Sequence, residues 1–145
     1  MFLGQYSHTI DSKNRLTIPA RYRAALASGA AIVQGFECNL LVYTTETFQK
    51  LASRVSMHST TNKEVRAMRR VLFGRASEVS LDSTGRILIP TFLQEYAELD
   101  TEVTIVGSGD YFEIWSKEGW VKELVSITDP EANAERFTAF DLSTG

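Results

Sequence analysis

Residues 11–22 read DSKNRLTIPARY, and residues 82–93 repeat this phrase in altered form as DSTGRILIPTFL. Each copy holds an aspartate, an arginine four positions later and then Ile-Pro. The matched positions, each pair 71 residues apart, are Asp11 and Asp82, Arg15 and Arg86, and Pro19 and Pro90. The same order continues downstream, where AAIVQGF precedes LLVYTTETF in the first copy and VTIVGSG precedes FEIWSKEGW in the second. The chain therefore consists of two copies of one structural unit.

Both copies carry the pattern of strand, tight turn, strand, short helix, two strands and a second helix. After the first turn, Leu16 and Ile18 fall on one face of a strand at a period of two. Pro19 suits the first position of a helix, where a missing N–H leaves no bond unmade, and Gly29 suits the helix end. The segments AAIVQGF and NLLVY then predict a hairpin through Gly35.

A unit of about 45 residues is too small to bury a sufficient core alone. We therefore expect the two copies to share one core, in a β-rich α+β fold with two pseudo-symmetric modules. Between them, TNKEVRAMRRVLFG predicts a connecting helix that begins with a capping box of Thr61 and Glu64 and ends at Gly74. The predicted divisions are a first module at 5–50, connecting helices at 51–76, a second module at 78–121 and an acidic, weakly patterned C-terminal tail at 125–145.

Composition argues against several classes of protein. No apolar run approaches the roughly 20 residues that a membrane helix requires, and the first residues lack a secretory-signal pattern, so we expect a soluble cytoplasmic protein. Cys38 is the only cysteine, which excludes an internal disulfide and zinc sites of the CxxC type. His8 and His58 are the only histidines, and neither has a spaced carboxylate or cysteine partner. We expect no catalytic residue, no metal, no cofactor and no small-molecule substrate.

The net charge of −3 conceals two halves of opposite sign. Residues 1–75 hold 11 Lys and Arg against 4 Asp and Glu, whereas residues 76–145 hold 4 against 14. Much of the positive charge gathers in the first repeated phrase and along the predicted connecting helix. Because the distribution of charge decides which face meets a polyanion, an acidic total is compatible with a basic face that binds DNA.

The repeated turn has two interpretations. Asp11 can accept backbone N–H groups two residues on, and Asn14 and Gly85 can take the left-handed conformation that a tight turn often requires. An arginine that projects from such a loop can fork onto guanine O6 and N7 in the major groove. Alternatively, aspartate and arginine pair with each other and only stiffen the hairpin. The extra cations around the first copy favour DNA binding.

The candidate DNA-binding residues are Arg15, Lys13, Asn14, Arg86, Arg21 and Arg23, and the candidate loop-shaping residues are Asp11, Asp82 and Gly85. The second copy has Thr84, Phe92 and Gln94 where the first has Lys13, Arg21 and Arg23. We therefore expect the first copy to contact DNA more strongly, and the second to contribute architecture plus a single arginine.

The basic helix at 62–73 has three interpretations: a solvated polar surface, a DNA contact, or a contact with the acidic half of a neighbouring subunit. Its cations are Lys63, Arg66, Arg69 and Arg70. The opposite charges of the two halves favour head-to-tail association, which closes into rings or grows as filaments.

Together, FLGQYSHTIDSKNRLTIPARYR and GRASEVSLDSTGRILIP resemble the MraZ family of bacterial transcriptional regulators, from Met1 to about Leu124. Members of that family carry two swapped-hairpin modules of the SpoVT/AbrB type, each with a DxxxR motif. The resemblance implies a nucleoid-associated ring oligomer that binds tandem promoter repeats in double-stranded DNA and represses or tunes a gene cluster for cell division and cell-wall synthesis. It also implies that the motif arginine contacts DNA, which is Arg15 here with Arg86 as its counterpart. Asn14 stands where the family usually has glycine; asparagine tolerates the same backbone region, so we expect the turn to persist.

An alternative is an antitoxin-like relative of AbrB whose main task is to bind a partner protein. Antitoxins of that type usually join one DNA-binding module to an extended tail that wraps the partner. The second copy here is complete and the remaining tail is short, which favours the regulator.

Overall fold

The computed structural model describes all of residues 1–145. The strands are β1 (Gln5–Thr9), β2 (Arg15–Thr17), β3 (Ala30–Gln34), β4 (Leu40–Thr44), β5 (Ser77–Val79), β6 (Arg86–Leu88), β7 (Glu102–Gly107) and β8 (Tyr111–Ser116). The helices are α1 (Ala20–Arg23), α2 (Thr45–Ser56), α3 (Lys63–Arg69), α4 (Thr91–Tyr96), α5 (Lys117–Ile127) and α6 (Pro130–Arg136). Both copies therefore follow the order of elements that the repeat predicts. No helix has the combination of length and apolar character that would let it cross a bilayer.

Six strands form one antiparallel sheet in the order β1-β7-β8-β4-β3-β5. The hairpins β3–β4 and β7–β8 meet at its centre, where Val42 lies opposite Phe112. Each hairpin is flanked by the first strand of the other copy, because β1 pairs with β7 and β5 pairs with β3. This exchange of edge strands is the swapped-hairpin arrangement, and it joins the two copies into one α+β fold.

The strands that follow the repeated turns form a separate two-stranded ribbon. In its antiparallel register, Arg15 lies opposite Leu88, Leu16 opposite Ile87 and Thr17 opposite Arg86. Because side chains alternate between the faces of a strand, Leu16 and Ile87 share one face and the other four residues share the opposite face. Leu16 and Ile87 are 0% and 1% exposed, so the inner face anchors the ribbon in the core.

A core of 18 buried residues draws on both copies. Tyr22 is among its largest members, and its ring lies 4.9 Å from that of Phe2 and 5.1 Å from that of Phe112. The Tyr22 hydroxyl donates to the carbonyl of Leu3 at 2.6 Å, so its burial leaves no bond unmade. Each fully buried large apolar side chain contributes about 1.5–3 kcal/mol to the free energy of unfolding. Because both copies supply these side chains to one core, each copy is stabilised by the other.

The connecting helix starts differently from the predicted capping box. Asn62 is the N-cap of α3, and its side-chain oxygen accepts the N–H of Glu64 at 2.8 Å. The Thr61 hydroxyl instead bonds to that of Ser59, so the assignment of Thr61 as the cap was wrong. Asparagine is among the best N-cap residues, and the extended backbone of Asn62 aims its side chain at the first turn. The helix then continues through a π-helical turn, Arg70–Gly74.

The last part of the chain contains more helix than its weak pattern indicates. α5 continues to Ile127, and the Asp129 side chain then caps α6 by accepting the N–H of Glu131 at 3.1 Å. Pro130, at the start of α6, supports this start because its φ is already helical. Residues 137–145 are all exposed. The finer division of the chain at 5–50, 51–76, 78–121 and 125–145 stays a prediction.

Candidate nucleic-acid interface

The first repeated turn is held by one carboxylate. Oδ1 of Asp11 accepts the backbone N–H of Lys13 and that of Arg15, both at 2.9 Å. The backbone closes around it, since the N–H of Asn14 donates to the Asp11 carbonyl and the N–H of Asp11 donates to the Arg15 carbonyl. Asn14 has a φ of +64°, so asparagine takes the left-handed position that the sequence predicted. The result is a tight turn followed by a one-residue bulge.

The second turn reproduces this geometry. Oδ1 of Asp82 accepts the backbone N–H of Thr84 at 3.0 Å and that of Arg86 at 2.9 Å, and it also accepts the Thr84 hydroxyl. Gly85 takes the left-handed position with a φ of +79°. The two aspartates therefore shape their loops in the same way, and the sequence difference between asparagine and glycine leaves the turn unchanged.

Both motif arginines pair with the aspartate of their own turn. Nε of Arg15 donates to Oδ2 of Asp11 at 2.9 Å, and Nε of Arg86 donates to Oδ2 of Asp82 at 2.8 Å. Nη1 of Arg86 also lies 3.8 Å from Oδ2 of Asp11, so the two loops are neighbours. Of the two interpretations of the turn, the pairing of aspartate with arginine is present, because the carboxylate holds each guanidinium by its Nε edge. Their terminal Nη groups donate no hydrogen bond within the protein, so pairing and recognition are compatible.

The outer face of the β2–β6 ribbon carries both arginines. Arg15, Thr17 and Arg86 are half-buried there, and Leu88 is 54% exposed. The register places Arg15 and Arg86 diagonally across this face. Residues related in this way in an antiparallel pair are typically about 7–8 Å apart. We call these four residues the ribbon face. Thr17 and Leu88 were not among the residues predicted from the sequence, although they alternate with the apolar residues Leu16 and Ile87, which indicates that they face outward.

The remaining candidate cations divide into two groups. Lys13 and Arg21 are exposed and form no ion pair within the chain. Arg23 is half-buried; its Nε donates to the carbonyl of Ile18 at 2.9 Å, and its guanidinium lies against Gly85. Lys13 and Arg21 are therefore free to meet phosphate, whereas Arg23 is engaged inside the ribbon.

Hydrogen bonds keep both turn carboxylates ionised. The backbone N–H of Arg86, helped by Thr84, lowers the pKa of Asp82 from 3.8 to about 2. The pKa of Asp11 is lowered as well, first by the backbone N–H of Arg15. Both aspartates thus carry a full negative charge at neutral pH, which fixes the guanidinium groups beside them.

Part of the charge on the basic helix is used within the helix region. Nη1 of Arg66 donates to the carbonyls of Thr60 and Thr61, and the Arg69 guanidinium lies 5.4 Å from the centre of the Phe73 ring. The two exposed cations without a partner are Lys63 and Arg70. They leave a smaller free charge on the connecting helix than the sequence indicates.

Comparison with known families identifies the chain. A family model described as "MraZ protein, putative antitoxin-like" matches it twice, at residues 1–71 and at residues 72–140. The chain belongs to the MraZ family. Each match contains one DxxxR turn, so the family model matches the two copies of the repeat separately.

Curated MraZ relatives span nearly the whole chain. It is 41% identical to the "Transcriptional regulator MraZ" of Herpetosiphon aurantiacus, over 98% of this chain and 100% of that protein. It is 44% identical to the protein of the same name from Roseiflexus castenholzii, over 94% of each chain. The corresponding protein of Clostridium acetobutylicum is 38% identical over 98% of this chain and its own full length. MraZ is a family of transcriptional regulators, so this chain is a DNA-binding regulator and not an enzyme.

Proposed function

We propose that this chain binds promoter DNA through the ribbon face, with the two DxxxR loops as its reading elements. The observation that carries the proposal is the pair of arginines on one outward ribbon face, each fixed through Nε and each with Nη groups that donate no hydrogen bond within the protein. A two-stranded β-ribbon fits the major groove of B-form DNA. The arginines supply specificity, because their terminal amines can fork onto guanine.

The charges around the ribbon support the same orientation. The loops and α1 hold five cations, namely Lys13, Arg15, Arg21, Arg23 and Arg86, against the two turn aspartates. Lys13 and Arg21 are exposed beside the ribbon, where they would contact phosphate and fix the register of the protein on the duplex. Since the second copy has Thr84 and Phe92 at these positions, the first copy would make more of the phosphate contacts.

Self-assembly would convert weak single contacts into tight binding. Basic α3 and the acidic second half offer complementary charges for a head-to-tail contact that closes into a ring, as resemblance to the family implies. A ring that displays several ribbon faces suits tandem promoter repeats, because later contacts become intramolecular and avidity rises by about 10²–10⁴. The proposed targets are repeats ahead of a cell-division and cell-wall gene cluster, where the protein would act on the nucleoid and repress or tune transcription.

A protein-binding, antitoxin-like role is the second candidate. The feature that favours it is the exposed segment 137–145, which leaves Phe137, Phe140 and Leu142 open to solvent at 48%, 66% and 75% exposure. A stoichiometric small protein recovered in a pull-down with the full chain, and lost when these three side chains are replaced by serine, would support that role.

Fluorescence anisotropy on two labelled duplexes tests the proposed function. One duplex carries the DNA just upstream of the gene for this protein, and the other carries the same bases in scrambled order. We expect tighter binding to the native duplex, weakening with salt by a slope of about −0.9 per phosphate neutralised. Equal affinity for both duplexes at each salt concentration would contradict sequence reading by this chain.

A further inference from the structure

Two side chains that follow the ribbon strands have matching positions in the two copies. Arg23 and Gln94 lie 71 residues apart, at the end of α1 and within α4. Nε of Arg23 donates to the carbonyl of Ile18 at 2.9 Å, and Nε2 of Gln94 donates to the carbonyl of Ile89 at 2.8 Å. Different residue types thus make the same bond in each copy.

The two isoleucines in turn hold the opposite loops. The N–H of Ile18 donates to the Gly85 carbonyl at 2.9 Å, and the N–H of Ile89 donates to the Asn14 carbonyl at 2.8 Å. Both receiving residues occupy the left-handed position of a DxxxR turn. Each loop therefore rests on the strand end of the other copy.

The side chains also contact those turn residues directly. Nε2 of Gln94 donates to Oδ1 of Asn14 at 3.1 Å. On the other side, the Arg23 guanidinium occupies the space into which a side chain at position 85 would extend, and Gly85 is buried beneath it. A long side chain thus faces glycine, and a shorter one faces asparagine.

We propose that Arg23 and Gln94 are positioning residues: each braces the DNA-facing loop of the opposite copy, and the left-handed turn residue is matched in size to its brace. The braces fix the two arginine loops relative to each other, so that one chain presents a single rigid reading surface. The effect on DNA affinity rests on the proposed function. The size match between each bracing side chain and the turn residue that it contacts can be tested by thermal unfolding alone.

A substitution that converts one loop into the other tests the match. In Gly85→Asn, asparagine tolerates the left-handed backbone, but its side chain must displace Arg23 from the Ile18 carbonyl. We expect the midpoint of thermal unfolding to fall by about 3–9 °C. Adding Arg23→Gln recreates the pair of Asn14 and Gln94, and should restore most of the midpoint together with the preference for the native promoter duplex.

The matched control pairs Gly85→Asn with Gln94→Ala. Gln94 braces the other loop and does not contact position 85, so this second change should restore nothing. The proposed size match would be wrong if Arg23→Gln did not raise the unfolding midpoint of Gly85→Asn, or if Gln94→Ala raised it equally. Recovered stability without recovered promoter preference would overturn the positioning role. If the unsubstituted chain shows no preference for the promoter duplex, the proposed function is wrong. The unfolding midpoints of the variants would still show whether Arg23 is matched in size to Gly85.

His8 gives an independent measure of where the Arg23 guanidinium lies. Burial lowers the pKa of His8, and the nearby charge of Arg23 lowers it further. If Gly85→Asn displaces Arg23, the pKa of His8 should rise in an NMR titration of its imidazole. An unchanged His8 pKa in that variant would mean that Arg23 has not moved, which contradicts the displacement.

Discussion

The side chains of Asp11 and Asp82 connect the conformation of each turn to the position of its arginine. One oxygen of each carboxylate accepts two backbone N–H groups, and the other accepts Nε of the arginine. Because charge-assisted bonds of this kind are short and directional, the guanidinium has little freedom to rotate away. The aspartate therefore lowers the entropy that an arginine would lose on binding DNA.

Arg15→Ala should remove sequence preference and leave the fold intact. The Arg15 side chain is half-buried on the ribbon face, and Asp11 keeps its backbone bonds when the guanidinium is gone. Loss of one bidentate base contact predicts about 10- to 100-fold weaker binding to the native duplex, with little change for the scrambled one. Anisotropy measures both affinities, and light scattering measures assembly.

Two matched variants control the Arg15 measurement. Lys13→Ala should weaken binding to both duplexes alike and reduce the salt slope by about one, as expected for a phosphate contact. Lys122→Ala, an exposed lysine of α5 without a partner, should change neither affinity. Dissociation of the assembly in Arg15→Ala would instead identify Arg15 as a structural residue.

Stability should decrease as acid protonates Asp82. Its pKa is about 2 in the folded chain against an ordinary value of 3.8, so the folded state binds the proton more weakly than the unfolded state. The stabilisation is therefore complete above about pH 4 and is lost as the pH falls towards 2. Urea unfolding at several pH values measures this loss, which Asp82→Asn should reduce. A carboxyl titration of Asp82 by NMR with its midpoint near 3.8 would contradict the prediction.

At the scale of the elements, the β2–β6 ribbon shows how three residues per strand suffice for a defined surface. Leu16 and Ile87 bury the inner face. Pro19 and Pro90 follow the two strands as N-caps of α1 and α4, so the prediction that Pro19 takes the first helical position was wrong by one residue. Because proline has no N–H, it cannot extend the ladder. Because alternation has a period of two, burial of the inner face forces the arginines outward. The apolar residues of the ribbon therefore determine the direction in which its two arginine side chains point.

Asn62→Ala should destabilise the start of α3. The Asn62 side chain accepts the N–H of Glu64, and loss of such a cap typically costs about 1 kcal/mol. The neighbouring change Thr61→Ala is the control, because its hydroxyl bonds only to Ser59 and does not cap the helix. Urea unfolding of both variants measures the difference. A larger loss of unfolding free energy in Thr61→Ala than in Asn62→Ala would instead support the capping box that the sequence predicted.

At the scale of the whole molecule, the exchange of β1 and β5 makes the two copies interdependent. Each supplies an edge strand to the hairpin of the other, and the shared core contains Leu16 and Ile18 from one copy and Ile87 and Ile89 from the other. Neither copy could retain its core on its own. The pseudo-symmetry also brings the two DxxxR turns together on one ribbon, although they are 71 residues apart in the chain.

Reversal of the two free charges on the connecting helix, Lys63 in α3 and Arg70 in the π-helical turn, should weaken assembly of copies. Lys63 and Arg70 are exposed without a partner, and the second half of the chain carries 14 Asp and Glu against 4 Lys and Arg. If these surfaces meet head to tail, Lys63→Glu with Arg70→Glu should reduce the mass of the assembly measured by light scattering, as should high salt. Lys122→Glu is the control. An unchanged mass in the double variant would rule out this contact.

Much of the fold follows from local sequence patterns. The features that the sequence did not predict, a helix cap and a contact between the two loops, depend on which of several polar groups forms a hydrogen bond in the folded chain. The order of elements, the hairpin through Gly35 and the left-handed Asn14 all follow from periodicity and turn chemistry. The cap at Asn62 was missed because two adjacent polar residues can both cap a helix, and backbone geometry chooses between them. The brace by Gln94 was missed because it acts on a loop 80 residues away in sequence.

The sequence by itself determined that the chain is a duplicated α+β unit with two Asp-shaped turns, since period, turn residues and repeats are local properties that need no partner. Only the tertiary structure decided how the two motif arginines lie relative to each other. Arg15 and Arg86 are paired through Nε, share one ribbon face and lie beside the same carboxylate of Asp11. The Nε pairs lie within single turns, but the shared face and the shared carboxylate depend on the pairing of β2 with β6. That pairing is a contact between distant segments that forms only when both copies bury their apolar faces in one core.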